Sequence, residues 1–327
     1  MRPDWPGALH HVMARGIDGK AIFSEVSEKA DICNRLEKLV PEMGMELYAW
    51  VIMSNHLHLF LKSGAEPLHK LMQRLLTGFS VRYNRKYDRR GHVFQDRFLS
   101  ILVQADNYFL KLVRYILLNP LRAGIVANFQ ELIEYKWCGY RSIAGVESVS
   151  WQNVETVLAK FGNTTYEKKL SNFESFMKQQ ISEVELERMK SGTFVIGRNG
   201  TVQTNAKKHN LNSCTVLGDK AFAVRVTQSL KQDQKNAVRD RCNQHNAIDK
   251  LFRNIERIFG VNKNVIKGNS RGMKISHSRS LAAIVLSERL GLTLRECARV
   301  LNMSYCGVKY AIKKGHESNL KQYLTKI

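Results

Sequence analysis

The order in which strand and helix patterns follow one another is the sequence feature that most constrains the fold. Over roughly the first 140 residues, short segments with strand character alternate with longer segments whose apolar residues recur at helical spacing. From Gln152 onward the pattern is almost entirely helical. These patterns predict an α+β region followed by an all-α region.

Individual elements can be placed along the α+β region. The segment 8–15 has strand character and ends at Gly16, and residues 28–43 have helical spacing. Residues 47–61 form either a strand pair or one long strand. A basic amphipathic helix (68–87), a strand (98–103) and a helix (107–118) that stops at Asn119-Pro120 follow. Further on, the segment 190–212 is rich in Gly, Asn, Thr and Lys and is typical of an exposed loop or linker.

The charge balance points to a polyanionic partner. The chain holds 51 Lys and Arg against 29 Asp and Glu, a net charge of +22, which would make the fold repel itself without such a partner. Nucleic acid is the first candidate and a membrane surface the second. Because the sequence shows neither an apolar run of spanning length nor the apolar core of a signal peptide, we expect a cytoplasmic protein without a membrane partner.

Two histidines, His56 and His58, lie two residues apart in an apparent strand. Both therefore project from one face, while Leu57 and Leu59 project into the opposite core. Two neutral imidazoles held this way suit a divalent metal, and a third ligand would leave positions open for a phosphate oxygen. An isolated pattern of this kind is more typical of two histidines on the solvent face of an edge strand.

The helix that ends at Asn119-Pro120 carries a candidate nucleophile, Tyr115. Tyr115 and Asn119 are four residues apart and share a helix face, so the amide oxygen of Asn119 could complete a metal site beside the phenol. Tyr108 lies on nearly the same face and is a rival nucleophile. The structural alternative is that Tyr115 packs in the core and Asn119 only ends the helix.

Four ordered segments carry a resemblance to a known family. Residues 6–12 (Pro-Gly-Ala-Leu-His-His-Val), 53–58 (Met-Ser-Asn-His-Leu-His), 91–98 (Gly-His-Val-Phe-Gln-Asp-Arg-Phe) and 114–124 (Arg-Tyr-Ile-Leu-Leu-Asn-Pro-Leu-Arg-Ala-Gly) resemble, in order and spacing, the REP-associated tyrosine transposases. These belong to the HUH single-tyrosine transposases. The likeness extends to the Trp-Cys-Gly-Tyr-Arg-Ser segment at 137–142, and so covers roughly residues 1–145.

The resemblance implies a ferredoxin-like nuclease domain, an antiparallel sheet with helices. It implies that His56 and His58 bind Mg²⁺ or Mn²⁺, that Asn119 is the third ligand, and that Tyr115 rather than Tyr108 forms a 5′-phosphotyrosine bond with single-stranded or hairpin DNA. A single tyrosine per chain also raises the prospect of a homodimer. The DNA-contacting residues expected in this region are Gln95 and Arg97, Arg82 and Arg85 in the basic helix, and Arg122.

The last 67 residues have the plan of a helix-turn-helix. Thr293 caps one helix, Asn302-Met303 make a turn, and Ser304 starts a second helix. Residues 261–327 hold 13 Lys and Arg against 3 Asp and Glu, a charge of +10, which favours a DNA role over a hairpin that merely packs. The expected contacts are Ser304, Tyr305, Lys309 and Lys313.

This C-terminal stretch resembles the duplex-DNA-binding domain of the replication initiator DnaA, with Lys274 and Arg279 in its basic segment. It departs from that domain at residues 303–308, Met-Ser-Tyr-Cys-Gly-Val, where the recognition helix opens. The resemblance therefore implies the fold and a duplex partner but not the initiator's sequence specificity.

These patterns predict three parts: a nuclease domain (1–145), a helical connecting region (146–254) and a helix-turn-helix domain (255–327). The leading hypothesis is a metal-dependent single-strand endonuclease and strand transferase of the transposase type. One alternative is a sequence-specific DNA-binding regulator whose nuclease domain is inactive. Another is a metal hydrolase that uses activated water instead of Tyr115.

Overall fold

The computed structural model describes residues 3–197, 199–204, 213–318, 320 and 322–323, without the side chains of residues 233, 234, 237, 238, 240 and 241. The chain divides into two compact units, Met1–Leu230 and Lys231–Ile327. Most of the predicted connecting region, 146–230, lies in the first unit, and residues 231–254 lie in the second.

The first unit begins with the predicted alternation of strands and helices. The elements in chain order are β1 (Leu9–Arg15), α1 (Val26–Glu42), β2 (Glu46–Ile52), β3 (His56–Lys62), α2 (Leu68–Lys86), β4 (Leu99–Val103), α3 (Ala105–Leu117) and α4 (Asn119–Arg122). Residues 47–61, which the sequence left open, are two strands joined by a short turn. The helix pattern ends before Pro120, as predicted, because α3 stops at Leu117 and Pro120 lies in the first turn of α4.

The first four strands form an antiparallel sheet in the order β2-β3-β1-β4. Together with α1 and α2 this is the βαββαβ connectivity of a ferredoxin-like fold, which confirms the predicted fold class. In the described residues the sheet continues from β4 through β7 (Cys214–Leu217), β5 (Phe194–Ile196) and β6 (Val202–Thr204). Because β7 runs parallel to β4, the complete sheet is mixed rather than antiparallel.

The three added strands are a correction to the sequence-based prediction. Residues 146–254 were expected to be helical and 190–212 to be a loop, yet β5, β6 and β7 fall in these ranges. Each strand has only three or four residues, too few to show a period of two, and the three join the sheet only through β7, which pairs with the sequence-distant β4. The end of the predicted loop, 205–212, lies outside the described residues.

The two faces of the sheet bury different helices. Leu57 and Leu59 of β3 pack with α1 and α2, whereas Phe60 packs with α3 on the other face. α3 is held there by its apolar stripe, which includes Leu112, Val113 and Ile116, each fully buried. Burying side chains of this size contributes roughly 1.5–3 kcal/mol each, so the position of α3 over the sheet is strongly fixed.

Five further helices complete the first unit: α5 (Phe129–Glu134), α6 (Tyr140–Ile143), α7 (Val154–Ala159), α8 (Tyr166–Met177) and α9 (Glu183–Ser191). Their buried residues, among them Phe173, Met177 and Met189, join the core on the α3 face of the sheet. The region that follows the predicted nuclease domain therefore packs against the helix that carries Tyr115.

The second unit is helical. The helix α10 (Lys220–Phe259) contains the boundary between the units and is followed by α11 (Lys263–Lys267), α12 (Met273–Ile284), a π-helical turn (Val285–Arg289), α13 (Leu294–Leu301) and α14 (Tyr305–Glu317). The predicted helix starts are confirmed, since Thr293 forms a capping box with Glu296 and Ser304 caps α14. Among the described residues, no helix has the length and apolarity needed to cross a membrane.

Candidate active site

His56 and His58 project from β3 toward α3, as the alternation predicted. β3 lies between β2 and β1, so these histidines are not on an edge strand. His58 is only 4% exposed and His56 is half-buried. Their ring centroids are 4.9 Å apart and the ring planes are nearly perpendicular, at 81°. The fold therefore brings the two imidazoles together in a largely desolvated place.

A neighbouring amide fixes which nitrogen of His56 carries its proton. The Nδ1 of His56 lies 2.6 Å from the Oδ1 of Asn55. The Nδ2 of Asn55 donates to the carbonyl of Gly19 at 3.2 Å, which fixes the orientation of the amide and leaves its oxygen facing the ring. Since an amide oxygen can only accept, neutral His56 donates from Nδ1 and keeps its lone pair on Nε2.

His11, which was not among the predicted site residues, supplies the corresponding partner for His58. The Nε2 of His11 and the Nδ1 of His58 are 2.9 Å apart, and the two rings stack with centroids at 5.2 Å. His11 of β1 pairs with Phe60 of β3, so His58 is its diagonal neighbour. If His58 donates from Nδ1 to His11, its Nε2 also keeps a free lone pair.

Tyr115 contacts these imidazoles and Tyr108 does not. The Tyr115 ring centroid lies 5.8 Å from that of His11 and 6.0 Å from that of His58, both edge-on. Tyr108 lies instead in a separate pocket bordered by α9 and β5. Of the two candidate nucleophiles, the fold places only Tyr115 against the histidines.

The residues that follow Tyr115 surround it with polar groups. The Nδ2 of Asn119 donates to the carbonyls of Tyr115 at 3.0 Å and Ile116 at 3.4 Å, so its Oδ1 is the atom left for another partner. Arg122 lies over the Tyr115 ring, with its guanidinium carbon 4.4 Å from the ring centroid, and donates to the Tyr115 carbonyl. Tyr115, Asn119 and Arg122 thus form one local cluster.

Burial keeps the three imidazoles neutral. Burial lowers the pKa of His11 to about 3, with a small opposing effect of the Met189 backbone. Burial and the positive charge of Arg15 lower the pKa of His56 to about 4. Burial also holds the pKa of His58 well below its usual range, and the charge of Arg122 acts in the same direction. At neutral pH all three rings therefore carry lone pairs.

The phenol of Tyr115, by contrast, holds its proton tightly. Burial raises the pKa of Tyr115, and the carboxylate of Glu187 adds to this rise while Arg122 opposes it. Only the uncharged phenol is therefore populated near neutral pH in this arrangement. A nucleophilic role requires that these surroundings change when a substrate binds.

The donor set suits a divalent cation. Two neutral imidazole nitrogens and one amide oxygen are ligands accepted by Mn²⁺ and related ions, and hydrogen bonds from the outer nitrogens would orient both rings. Within the described ranges, no three His, Cys, Asp or Glu side chains form a cluster that could hold a metal. Among the described residues, the amide of Asn119, beside Tyr115, is a candidate for a third ligand of another type.

The candidate nucleophile, Tyr115, lies under a helix that belongs to the added part of the first unit. Tyr115 is only 7% exposed. Glu185 of α9 pairs with Lys111 at 3.1 Å and with Arg114 at 3.8 Å, both on α3. Met189, also on α9, is buried in the same cluster as Tyr115. Sequence patterns could not reveal this cover, because it depends on contacts between distant segments.

The residues predicted to contact DNA in the first unit differ in their exposure and in their ion pairing. Gln95 and Arg97 are exposed in the loop 91–98. Arg85 is exposed in the last turn of α2 and has no acidic partner among the described side chains. The guanidinium of Arg82 is paired with Asp31 at 2.7 Å, which neutralises part of the charge expected to meet phosphates.

In the second unit, most predicted DNA contacts lie on the surface. Lys274, Ser304, Tyr305, Lys309 and Lys313 are exposed, and the last four follow one face of α14. Arg279 has a structural role instead. Its guanidinium donates to the carbonyl of Ile266 at 2.8 Å and to those of Val265 and Gly268, at the end of α11.

Comparison with known proteins agrees with the sequence resemblance. Residues 7–119 match the family model described as "Transposase IS200 like". This match spans about a third of the chain and supports a transposase-like, DNA-processing function for the part that contains His56, His58 and Tyr115. A comparison with curated protein sequences gives no match.

The chain is also similar to a solved structure described as the REP-associated tyrosine transposase bound to a REP hairpin. The two chains are 13% identical, with a TM-score of 0.37. The similarity covers 47% of this chain and 95% of the other.

The geometry around His56 generates a first prediction. In Asn55→Leu the acceptor for the Nδ1 proton is lost, so we expect His56 to shift toward the Nε2-protonated tautomer and Mn²⁺ to bind about tenfold more weakly. Long-range ¹⁵N–¹H spectra of the histidine rings and calorimetric titration with Mn²⁺ measure these effects. Asn55→Asp keeps an acceptor oxygen and should retain the wild-type tautomer. An unchanged tautomer in Asn55→Leu would contradict the assignment.

Proposed function

We propose that the first unit cleaves and rejoins a single DNA strand, with Tyr115 as nucleophile and hairpin or repeat DNA as substrate. The observation that carries this proposal is the contact of the Tyr115 ring with His58, whose neighbour His56 keeps a lone pair on Nε2. His56, His58 and Asn119 would hold Mg²⁺ or Mn²⁺. The bound ion would supply a Lewis acid for the scissile phosphate.

The chain's own residues account for the rest of the reaction. The Oη of Tyr115 forms a bond to phosphorus while the bond from phosphorus to the 3′ oxygen breaks; the phenol loses its proton and the 3′ oxygen gains one. Arg122, over the Tyr115 ring, favours the phenolate and attracts the phosphate. The phosphotyrosine retains the energy of the broken bond, so a 3′-OH can reverse the step without ATP.

Replacing the two candidate tyrosines tests the nucleophile. With a single-stranded hairpin oligonucleotide and Mn²⁺, we expect wild type and Tyr108→Phe to form a covalent protein–DNA adduct on denaturing gels. Tyr115→Phe should form none, because it lacks the attacking oxygen. An adduct in Tyr115→Phe would refute the assignment.

The same experiment separates the competing functions. Cleavage without an adduct in Tyr115→Phe would indicate a hydrolase that uses activated water. Binding without cleavage by the wild type, with every divalent metal tested, would indicate a DNA-binding regulator with an inactive nuclease domain.

The cover over Tyr115 must open during this reaction. A DNA phosphate cannot reach a side chain that is 7% exposed, and the carboxylate of Glu187 would repel it. We therefore also propose that α9 moves away from α3 when DNA binds. Glu187 would then lie farther from Tyr115. The pKa of the Tyr115 phenol would fall as a result, so the phenolate would form more readily.

Weakening the attachment of α9 should speed the reaction. In Glu185→Gln the ion pairs with Lys111 and the buried Arg114 are lost, and an exposed ion pair such as that with Lys111 contributes up to about 1 kcal/mol. We expect adduct formation to be about two- to fivefold faster and amide hydrogen exchange in α9 to increase. Glu183→Gln, also on α9 but without a described ion pair to α3, is the matched control. If amide hydrogen exchange in α9 became faster while the rate of adduct formation stayed the same, the opening of α9 would not limit the reaction.

For the second unit we infer binding to duplex DNA through α14. Tyr305 is 50% exposed and stands beside Lys309 and Lys313 on the exposed face of this helix. Residues 261–327 carry a charge of +10, from 13 Lys and Arg against 3 Asp and Glu. A helix that starts after a tight turn and presents aromatic and basic side chains suits the major groove.

Removing one cation from α14 tests this inference. Lys309→Ala should weaken duplex binding and reduce the slope of log affinity against log salt by about one, because one phosphate contact is lost. Fluorescence anisotropy over a series of salt concentrations measures both quantities. Arg289→Ala removes an exposed cation from the π-helical turn and should leave the salt slope unchanged. Equal salt slopes for wild type and Lys309→Ala would show that Lys309 makes no phosphate contact and would contradict duplex binding through α14.

A further inference from the structure

A groove of about 830 Å³ lies between α2 and the loop 91–98 in the first unit. It opens on the face of the sheet opposite to Tyr115, where α1 and α2 pack. The side chains that α2 contributes to it follow one face of the helix at helical spacing. They include Gln73, Thr77, Ser80 and Asn84.

The distribution of charge around α2 indicates what this groove can bind. Three cations of α2 outside the groove have carboxylate partners: Arg74 pairs with Glu42, Arg82 with Asp31, and Lys86 with Glu25 and Glu28. Arg85, in the last turn and also outside the groove, is exposed. The groove side of α2 instead carries neutral amides and hydroxyls. Cations suit phosphates, whereas neutral donors and acceptors above an apolar floor suit the edges and faces of bases.

Asn84 presents an acceptor that lacks a partner. Its Nδ2 donates to the carbonyl of Gly91 at 2.9 Å, which fixes the amide orientation. Its Oδ1 is buried and has no hydrogen-bond partner within the described part of the chain. A buried acceptor without a donor is unfavourable by roughly 1–3 kcal/mol, so a ligand that brings an N–H group to it would be favoured.

The loop that forms the other wall is connected to the candidate active site. The backbone N–H of Gln95 donates to the carbonyl of Arg15 at 2.9 Å, and Arg15 is the cross-strand partner of His56. Arg97, farther along the same loop, is exposed at the groove. A DNA strand that leaves the histidines can therefore turn around the end of β1 and continue into the groove.

We propose that this groove holds an unpaired base of the DNA strand next to the cleavage point and that Asn84 accepts a hydrogen bond from it. This rests on the proposed function, because it takes DNA as the substrate. The base must be unpaired, since the N–H groups of its pairing edge are free to reach Asn84 only outside a duplex. The rim cation Arg97 binds the adjoining phosphate.

The test compares two oligonucleotides in EDTA, where no metal-dependent step occurs: twelve-residue oligothymidylate and a twelve-residue abasic strand of the same charge. Wild type should bind the oligothymidylate about tenfold more tightly, because stacking and hydrogen bonding require a base. Thr77→Trp, which fills the groove, and Asn84→Leu should lose most of this preference and keep their affinity for the abasic strand.

Lys70→Trp is the matched control, since Lys70 is exposed on α2 but lies outside the groove. It should retain the preference for bases. The proposal is overturned if wild type binds both strands equally, or if Thr77→Trp behaves like Lys70→Trp. This test of base binding is separate from the test of the proposed function, because the latter measures adduct formation at Tyr115 with metal present.

Photocrosslinking gives an independent readout. An oligothymidylate with one central 5-iodouracil should crosslink to peptides that contain residues 69–84 or 91–98 in the wild type and in Tyr115→Phe. Thr77→Trp should lose these crosslinks. Crosslinks confined to other parts of the first unit would contradict the proposed location of the base.

Discussion

The hydrogen bond between His11 and His58 is the interaction on which the candidate active site depends. It joins β1 to β3 in the middle of the sheet, at 2.9 Å and nearly without solvent. In that environment a charged imidazole is strongly disfavoured, so both rings are neutral and share one proton between facing nitrogens. The position of His58 therefore follows from the register of two strands rather than from a loop, which gives the site a rigid base.

What the sequence could predict of this site follows from local periodicity. The period of two in β3 put His56 and His58 on one face, and the helical spacing of four put Asn119 beside Tyr115. The sequence contains His11, but its role depends on which residue of β3 lies beside it. The register between two strands that are distant in sequence cannot be predicted from either strand alone. The same limit applies to β5 and β7, which are too short to be recognised without the strand beside them.

The roles of the charged residues could likewise be predicted only in part from the sequence. Composition correctly indicated an excess of cations, yet it could not tell which of them are neutralised. Arg82 meets Asp31 and Arg279 meets the carbonyl groups at the end of α11, so neither presents a free guanidinium of the kind that counting assumes. Only the fold shows that the neutral side of α2 borders a groove while Arg74, Arg82 and Lys86 outside it are paired with carboxylates.

The added helices and strands of the first unit change how the matched region would work. A tyrosine that attacks phosphate must be reachable, but Tyr115 is only 7% exposed, and burial raises the pKa of its phenol, with Glu187 adding to the rise. α9 is joined to α3 by the ion pairs of Glu185, and its Met189 is buried in the core cluster that contains Tyr115. On the proposed function, the sheet would hold the histidines in place and the added segment would control when DNA reaches Tyr115.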